Sequence, residues 1–384
     1  MRILGKGKTA QAIQEIYQDA VMYDDKDFEN FDFKSDEITV VSPGIPPYNY
    51  LVQNTKNLIS EYDLFCENGP YTIWISGTNG KTTTTAMMEH ILKYKNAMSG
   101  GNIGLPLAKM DKSKSIWILE TSSFTIHYTK IAKPNLYVLL PITEDHTSWH
   151  GSFEEYEKSK LKAMDQLKEG EIAIIPNKYK DYPTDGFKIC YENSQDLANF
   201  FGIDSSKIVF KEPFLMDALL AMSVDKILFD NIDYDKINSF VQDPHKMEEF
   251  RDKKNRLWVD DSKATNFDAT LQALNRYKEM KIYLILGGDD KGVDLNPLFI
   301  EFYKYNLKIY SIGTNCDKLY DLSLKYNIEC FKCYFLENAV EKIAKDMNDN
   351  HEDIALLSPA AASLDQFTSY KERGEKFKQF VTLE

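Results

Sequence analysis

At 384 residues the chain is longer than one hydrophobic core usually supports, so two or three domains are expected. Its 43% hydrophobic and 27% charged residues are those of a folded globular protein, which excludes disorder. A net charge of −13 excludes a broad basic surface for nucleic acid, although a few local lysines and a metal can still hold phosphates. No apolar run approaches the roughly 18 residues of a membrane-spanning helix. Residues 1–7 turn glycine-rich at once, unlike a signal peptide, so a cytoplasmic protein without membrane insertion is expected. Five cysteines, an odd number, imply no disulfide framework. Cys330 and Cys333 form a C-x-x-C that would be half of a zinc site. No second cysteine or histidine pair accompanies it, so both are expected in or beside a strand.

In chain order, Ile3-Leu4 lead into Gly5-Lys6-Gly7-Lys8-Thr9-Ala10, then an apolar-periodic stretch through Ile13 and Ile16. Val21-Met22-Tyr23 read as a strand ending at Asp24 and Asp25, and residues 38–41 as a third strand, stopped by Ser42-Pro43-Gly44. Strand, glycine turn, helix and a strand ending in Asp outline a nucleotide-binding unit, although a plain strand–helix turn looks the same. Glu67-Asn68-Gly69-Pro70 is a turn cluster and the first domain boundary. Beyond it, 71–75 read as a strand, 76–80 as a loop and 81–93 as a helix. Apolar strands follow at 116–119 and 136–140. A second boundary falls near Gln242-Asp243-Pro244, with strands after it at 257–259, 282–286, 307–312 and 354–357. Strands alternating with helices imply parallel sheets, and three α/β domains are predicted: 1–68, 69–242 and 243–384. The first and third are expected to be Rossmann-like, the central one a P-loop-type ATPase domain.

The sharpest motif is Gly77-Thr78-Asn79-Gly80-Lys81-Thr82-Thr83, between a strand and a helix. Glycines let backbone amides approach a triphosphate, the lysine neutralises its outer phosphates, and the next hydroxyl can ligate magnesium. It departs from a full Walker A loop because Ile75 stands where the first glycine would be. Strand 116–119 ends in Glu120, and strand 136–140 runs into Thr143-Glu144-Asp145-His146. Parallel sheets bind ligands at that edge, and these groups suit a magnesium site. Ser152 with Glu155 forms a capping box, so a helix is predicted from Phe153 to about Lys168. Its apolar stripe is Phe153, Tyr156, Met164 and Leu167, with Lys160 at the centre. Either Lys160 snorkels to the rim, or it is a desolvated amine that reacts with carbon dioxide to become an anionic metal ligand. In the last domain three strand ends carry hydroxyls, lysines and free amides: Asp260-Asp261-Ser262-Lys263-Ala264-Thr265-Asn266, Gly287-Gly288-Asp289-Asp290-Lys291-Gly292, and residues 358–365. Together they suit a small zwitterion with an extra carboxylate.

On these residues the sequence resembles the Mur ligases, over essentially the whole chain. The shared motifs are the loop 77–83, Gly101-Asn102-Ile103-Gly104-Leu105-Pro106, Glu120-Thr121-Ser122-Ser123-Phe124, Thr143 to His146, and Tyr156 with Lys160. Residues 261–266 and Ser363-Leu364-Asp365-Gln366-Phe367 point to the D-glutamate-adding branch. The resemblance implies ATP and two magnesium ions as cofactors, with UDP-N-acetylmuramoyl-L-alanine and D-glutamate as substrates of a monomer. It implies metal ligation by Thr82, Glu120, His146 and a carbamylated Lys160, with Lys81, His146, Lys160 and Lys263 catalytic. ATP would meet residues 77–83, Asp217, Lys246 and Asp261, with His245 nearby at the hinge. The UDP precursor is assigned to Gly5, Lys6, Gly7, Lys8, Thr9, Asp24, Ser42, Gly44, Asn102 and Ser123. D-glutamate is assigned to Thr265, Lys291, Ser363, Leu364 and Tyr370. The family's adenine segment reads Phe214-Leu215-Met216-Asp217 here, and Lys246 replaces the usual arginine, a point charge instead of a bidentate fork. The implied reaction activates a carboxylate as an acyl phosphate and needs water excluded, so closure of the third domain over the central one is expected. The alternatives are another Mur-type ligase, a ligase adding glutamate to a folate, and a nucleotide-dependent switch that ligates nothing.

Overall fold

The computed structural model describes residues 1–24, 30–66, 69–348 and 352–383; Asp25, Glu67 and Asn68 of the expected strand end and turn lie outside them. By compactness the chain divides into two units, Met1–Phe240 and Val241–Glu384. Unit 1 holds two sheets and unit 2 holds one.

The first sheet consists of β1 (Arg2–Leu4), β2 (Val21–Tyr23), β3 (Thr39–Val41) and β4 (Leu58–Ile59), ordered β2-β1-β3-β4 and parallel throughout. The helix Lys8–Ile16 follows β1 directly. Arg2 is buried, its guanidinium donating to Thr39 Oγ1 and to the carbonyls of Asp32, Ser35 and Glu37. A charge that deep is tolerated because those acceptors replace its water.

The second sheet comprises β5 (Tyr71–Ser76), β6 (Ala97–Gly101), β7 (Ile116–Glu120), β8 (Leu136–Leu139), β9 (Ile172–Pro176) and β10 (Phe187–Tyr191), ordered β10-β9-β8-β5-β7-β6 and all parallel. Its central strands carry apolar runs at 73–75, 116–119 and 136–139, as strands covered on both faces do. From β5 the chain crosses to one side of the sheet, and from β8 to the other. A topological switch point, where ligands bind in such sheets, therefore lies between their C-terminal ends. Asp63 ties the segment after the first sheet to this one, accepting from the amides of Lys130, Ile131 and Ala132.

Unit 2 carries β11 (Glu248–Arg251), β12 (Leu257–Asp260), β13 (Lys281–Gly287), β14 (Leu307–Ile312), β15 (Cys330–Tyr334) and β16 (Asp353–Leu357), ordered β11-β12-β16-β13-β14-β15. Only β11 runs antiparallel, to β12. Cys330 and Cys333 stand in β15. None of the helices among the described residues is long and apolar enough to cross a membrane.

One predicted element is shorter than expected. The helix begins at Phe153, capped by Ser152, but ends at Leu161 and closes in a 3₁₀ turn over Lys162–Met164. Carbonyls at a helix end lack i+4 partners, and the chain tightens to satisfy them. Met164 and Leu167 are still buried, Met164 from the turn and Leu167 from the segment after it.

Candidate active site

In unit 1 the loop after β5 enters the switch point. Gly77 and Gly80 adopt φ 139° and 89°, and a Cβ on either would come within 2.6 Å of the Leu140 side chain. Only glycine lets the loop lie that close to the end of β8. Thr78 locks it there: its hydroxyl donates to Thr143 O (3.0 Å), accepts from Thr143 N (2.9 Å), and sits 3.1 Å from Tyr156 Oη. Asp217 is packed beneath the loop, against Gly80, and accepts from Thr84 Oγ1 at 2.8 Å. A second buried carboxylate, Glu120, lies at the end of β7. Its oxygens take bonds from neutral donors, the Thr82 hydroxyl and the Asn102 amide, each at 2.8 Å.

Lys81 Nζ donates to the carbonyls of Gly77 (2.9 Å) and Thr78 (2.7 Å). Lys160 Nζ donates to the same Gly77 carbonyl at 2.8 Å and lies 4.6 Å from the centre of the Tyr156 ring. At 1% exposure Lys160 is not snorkelling, which removes that reading. Burial, then the Lys81 charge beside it, hold the Lys160 amine well below the usual lysine range. Two lysines on one carbonyl oxygen disfavour both carrying charge, and Lys160, the more deeply buried, is the one more readily deprotonated. His146 is half-exposed, in the left-handed region at φ 53°, its Nε2 3.6 Å from Asp145 Oδ2 and its ring edge-on to Phe124.

The first sheet gathers its candidates at the C-terminal ends of β1, β2 and β3. Gly5 (φ 103°) donates to Tyr23 O, and a Cβ there would strike Ser42 Oγ at 2.4 Å. Lys6 Nζ lies 3.7 Å from Asp24 Oδ2, Gly7 caps the helix that Lys8 and Thr9 open, and Gly44 is exposed beyond Ser42.

In unit 2, Asp261 follows β12. It is buried, accepts from Ser358 Oγ (2.8 Å) and Met247 N (3.2 Å), and burial pushes its carboxyl up to about 7. Lys263 N donates to His245 O, and Lys263 Nζ reaches Asp243 at 3.8 Å. His245 Nδ1 pairs with Asp260 Oδ2 at 2.7 Å, leaving Lys246 half-buried on the adjoining left-handed segment. His245, Glu248 and Asp260 have the spacing of metal ligands, but Lys378 already occupies both oxygens of Glu248. Thr265, Lys291 and Leu364 are exposed, Leu364 by 67%, while Ser363 is buried and Tyr370 half-buried.

A family profile for the Mur ligase middle domain matches residues 75–211, a span that includes the glycine loop after β5, Glu120 and Lys160. A protein of Campylobacter jejuni named UDP-N-acetylmuramoylalanine–D-glutamate ligase is 49% identical, over 99% of this chain and 98% of its own length. One of the same name from Helicobacter pylori is 44% identical at the same coverage. The chain belongs to the Mur ligase family. Among solved structures, MurF ligase from Thermotoga maritima superposes with a TM-score of 0.62 at 16% identity, covering 99% of this chain and 93% of its own. A folylpolyglutamate synthase of Mycobacterium tuberculosis gives 0.57 at 12%, over 82% and 91%. These two likenesses speak for the fold.

In this Mur ligase one residue of the third sheet escaped the sequence reading. Arg373, on the helix Tyr370–Leu383, is 1% exposed and donates to Ser262 Oγ and to the carbonyls of Ser262, Ala361 and Ala362. It clamps the loops after β12 and β16 together. An arginine in a helix of mixed polarity gives no sequence signal of burial; its only neighbouring cue is Gly374, where a Cβ would strike the His245 ring at 2.2 Å.

Proposed function

We propose that this Mur ligase is a cytoplasmic, monomeric enzyme that adds D-glutamate to UDP-N-acetylmuramoyl-L-alanine, using ATP, in peptidoglycan precursor synthesis. The observation that carries this reading is identity of 44–49% along almost the full length of proteins bearing that activity as their name. The three sequence-derived parts would divide the work: residues 1–68 the UDP end of the precursor, 69–242 the ATP, and 243–384 the amino acid.

The chemistry follows from the residues. A carboxylate is a poor electrophile, so an oxygen of the L-alanyl carboxylate attacks the γ-phosphorus. The bond to ADP breaks, and an acyl phosphate forms. The D-glutamate amine then attacks the acyl carbon, loses a proton, and expels phosphate as the amide forms. Lys81, held at the loop carbonyls, would neutralise the transferring phosphoryl oxygens. Residues 77–83 would cradle the phosphates through backbone amides. A buried carboxylate that takes its hydrogen bonds from neutral donors, as Glu120 does among the described residues, fits a cation, and Thr82, His146 and Lys160 would complete the set. Magnesium there would supply Lewis-acid stabilisation of phosphoryl charge. The neutral Lys160 amine is a nucleophile toward carbon dioxide: the N–C bond forms, one proton leaves, and the carbamate gives an anionic oxygen ligand. Asp217 supports the loop from beneath; Lys246 and Asp261 would reach ATP from the third sheet, with Lys263 near the reacting centre. Thr265, Lys291, Ser363, Leu364 and Tyr370 would hold the D-glutamate. Asn102 and Ser123, with Gly5, Lys6, Gly7, Lys8, Thr9, Asp24, Ser42 and Gly44, would meet the precursor.

Phosphate release from ATP tests this, measured with the UDP precursor and with D-glutamate, L-glutamate or no amino acid. Release requiring both precursor and D-glutamate is expected. Release indifferent to D-glutamate would sink the substrate assignment, and release with a folate acceptor would move the chain to the folate-directed ligases.

A further inference from the structure

A chain of hydroxyls and imidazoles outside the metal-ligand set runs through unit 1. His150 ends the short helix Thr147–His150 and is buried against Phe124 (ring centroids 5.5 Å) and Tyr156 (5.3 Å). Its Nε2 lies 3.0 Å from Ser123 Oγ and its Nδ1 3.3 Å from Ser159 Oγ. Ser123 opens the helix that follows Glu120, and Ser159 immediately precedes Lys160.

The proton positions can be worked out. Ser159 Oγ spends its one hydrogen on Glu155 O, at 2.7 Å, so toward the ring it can only accept. Nδ1 of His150 must therefore carry the proton. His127 Nδ1, 3.4 Å from the same oxygen, donates there by the same rule. With the His150 ring proton on Nδ1, the Nε2 atom is placed to accept the Ser123 hydroxyl at 3.0 Å. Both of the ring's hydrogen bonds are spent on holding two backbone elements.

We propose that His150 is a positioning residue, bracing the helix start behind Glu120 against the helix that carries Lys160 and so fixing the separation of two groups assigned to the metal. The inference rests on the metal reading above. A substitution that keeps the ring but removes both bonds tests it: His150→Phe, with His150→Gln as the conservative rescue.

Mn²⁺ titration in the presence of ADP, followed by electron paramagnetic resonance, gives a readout separate from turnover. Loss of a group that orients metal ligands costs about 10- to 100-fold in metal affinity. His150→Phe is expected to weaken Mn²⁺ binding by at least about tenfold and to lower kcat in the same range, leaving KM for D-glutamate unchanged. His150→Gln, which retains a donor and an acceptor, should recover most of both. Wild-type Mn²⁺ binding by His150→Phe would overturn the proposal, whatever its melting temperature. If that variant fails to fold, Ser123→Ala and Ser159→Ala each cut one end of the brace; wild-type Mn²⁺ binding in both would overturn it equally. Unmutated protein that bound no Mn²⁺ would sink the metal reading itself, and the brace with it.

Discussion

The strand-end loops of the second and third sheets solve the same problem in opposite ways. Around β5, two of the side chains assigned to the chemistry are themselves buried and bonded, Glu120 to Thr82 and Asn102, and Lys160 to the loop carbonyl it shares with Lys81, with His146 half-exposed at the edge. Around β12 and β16, the backbone is what is held. Arg373 gathers carbonyls from both loops, while Thr265, Lys291 and Leu364 are left at the surface. A site that must stabilise charge in a transition state gains most from groups oriented beforehand in a dry setting. A site that must admit and release a small zwitterion needs a firm frame and accessible contacts.

If that contrast is right, the largest loss should come from the buried lysine. Lys160→Ala should lower kcat by about 10³-fold, roughly 4 kcal/mol, measured by phosphate release, with partial recovery on adding a short carboxylic acid. Full activity would remove Lys160 from the mechanism. Next, Gly80→Ala places a side chain at φ 89° and against Leu140 and Asp217. Strain of about 2 kcal/mol should weaken ATP binding some thirty-fold, seen in isothermal titration. In the third sheet, Arg373→Ala leaves several buried acceptors unsatisfied. It should destabilise unit 2 by about 3 kcal/mol in urea and raise KM for D-glutamate more than it lowers kcat.

A smaller effect compares the units by pH. Burial raises Asp261 in unit 2, and equally Glu61 in unit 1, to about 7. In the unfolded chain both titrate near 4. Between those values the folded state binds more protons at these two groups, so their contribution to stability is greatest below about pH 4 and falls as pH rises to about 7. Glu61→Gln and Asp261→Asn should each flatten that fall by about 1–3 kcal/mol, followed as unfolding midpoint against pH. A steeper fall in either variant would contradict the sign. The smallest change belongs to an exposed contact: Thr265→Ala should raise KM for D-glutamate about fivefold, close to 1 kcal/mol, with kcat untouched. A large kcat effect there would erase the distinction between the two regions.

The amino-acid sequence by itself determined the parallel α/β class, the glycine loop between strand and helix, the carboxylate at the end of β7 and the capped start at Phe153. Each is written in neighbouring residues: an apolar run, a turn, a hydroxyl three positions before an acid. Short strands with mixed composition, such as β6 (Ala97-Met98-Ser99-Gly100-Gly101), gave no such local signal. Only the tertiary structure decided what became of Lys160, Arg373 and His150. The same lysine at the same place in an apolar stripe snorkels or is entombed according to what packs over it, here the Gly77 carbonyl and the Tyr156 ring. Local pattern sets an element's period and ends, whereas burial, charge state and hydrogen-bond partners also depend on distant residues: the carbonyl that Lys160 Nζ meets is 83 positions away, and the hydroxyl that Arg373 Nε meets is 111. That distance is why the chemistry of the site had to wait for the fold.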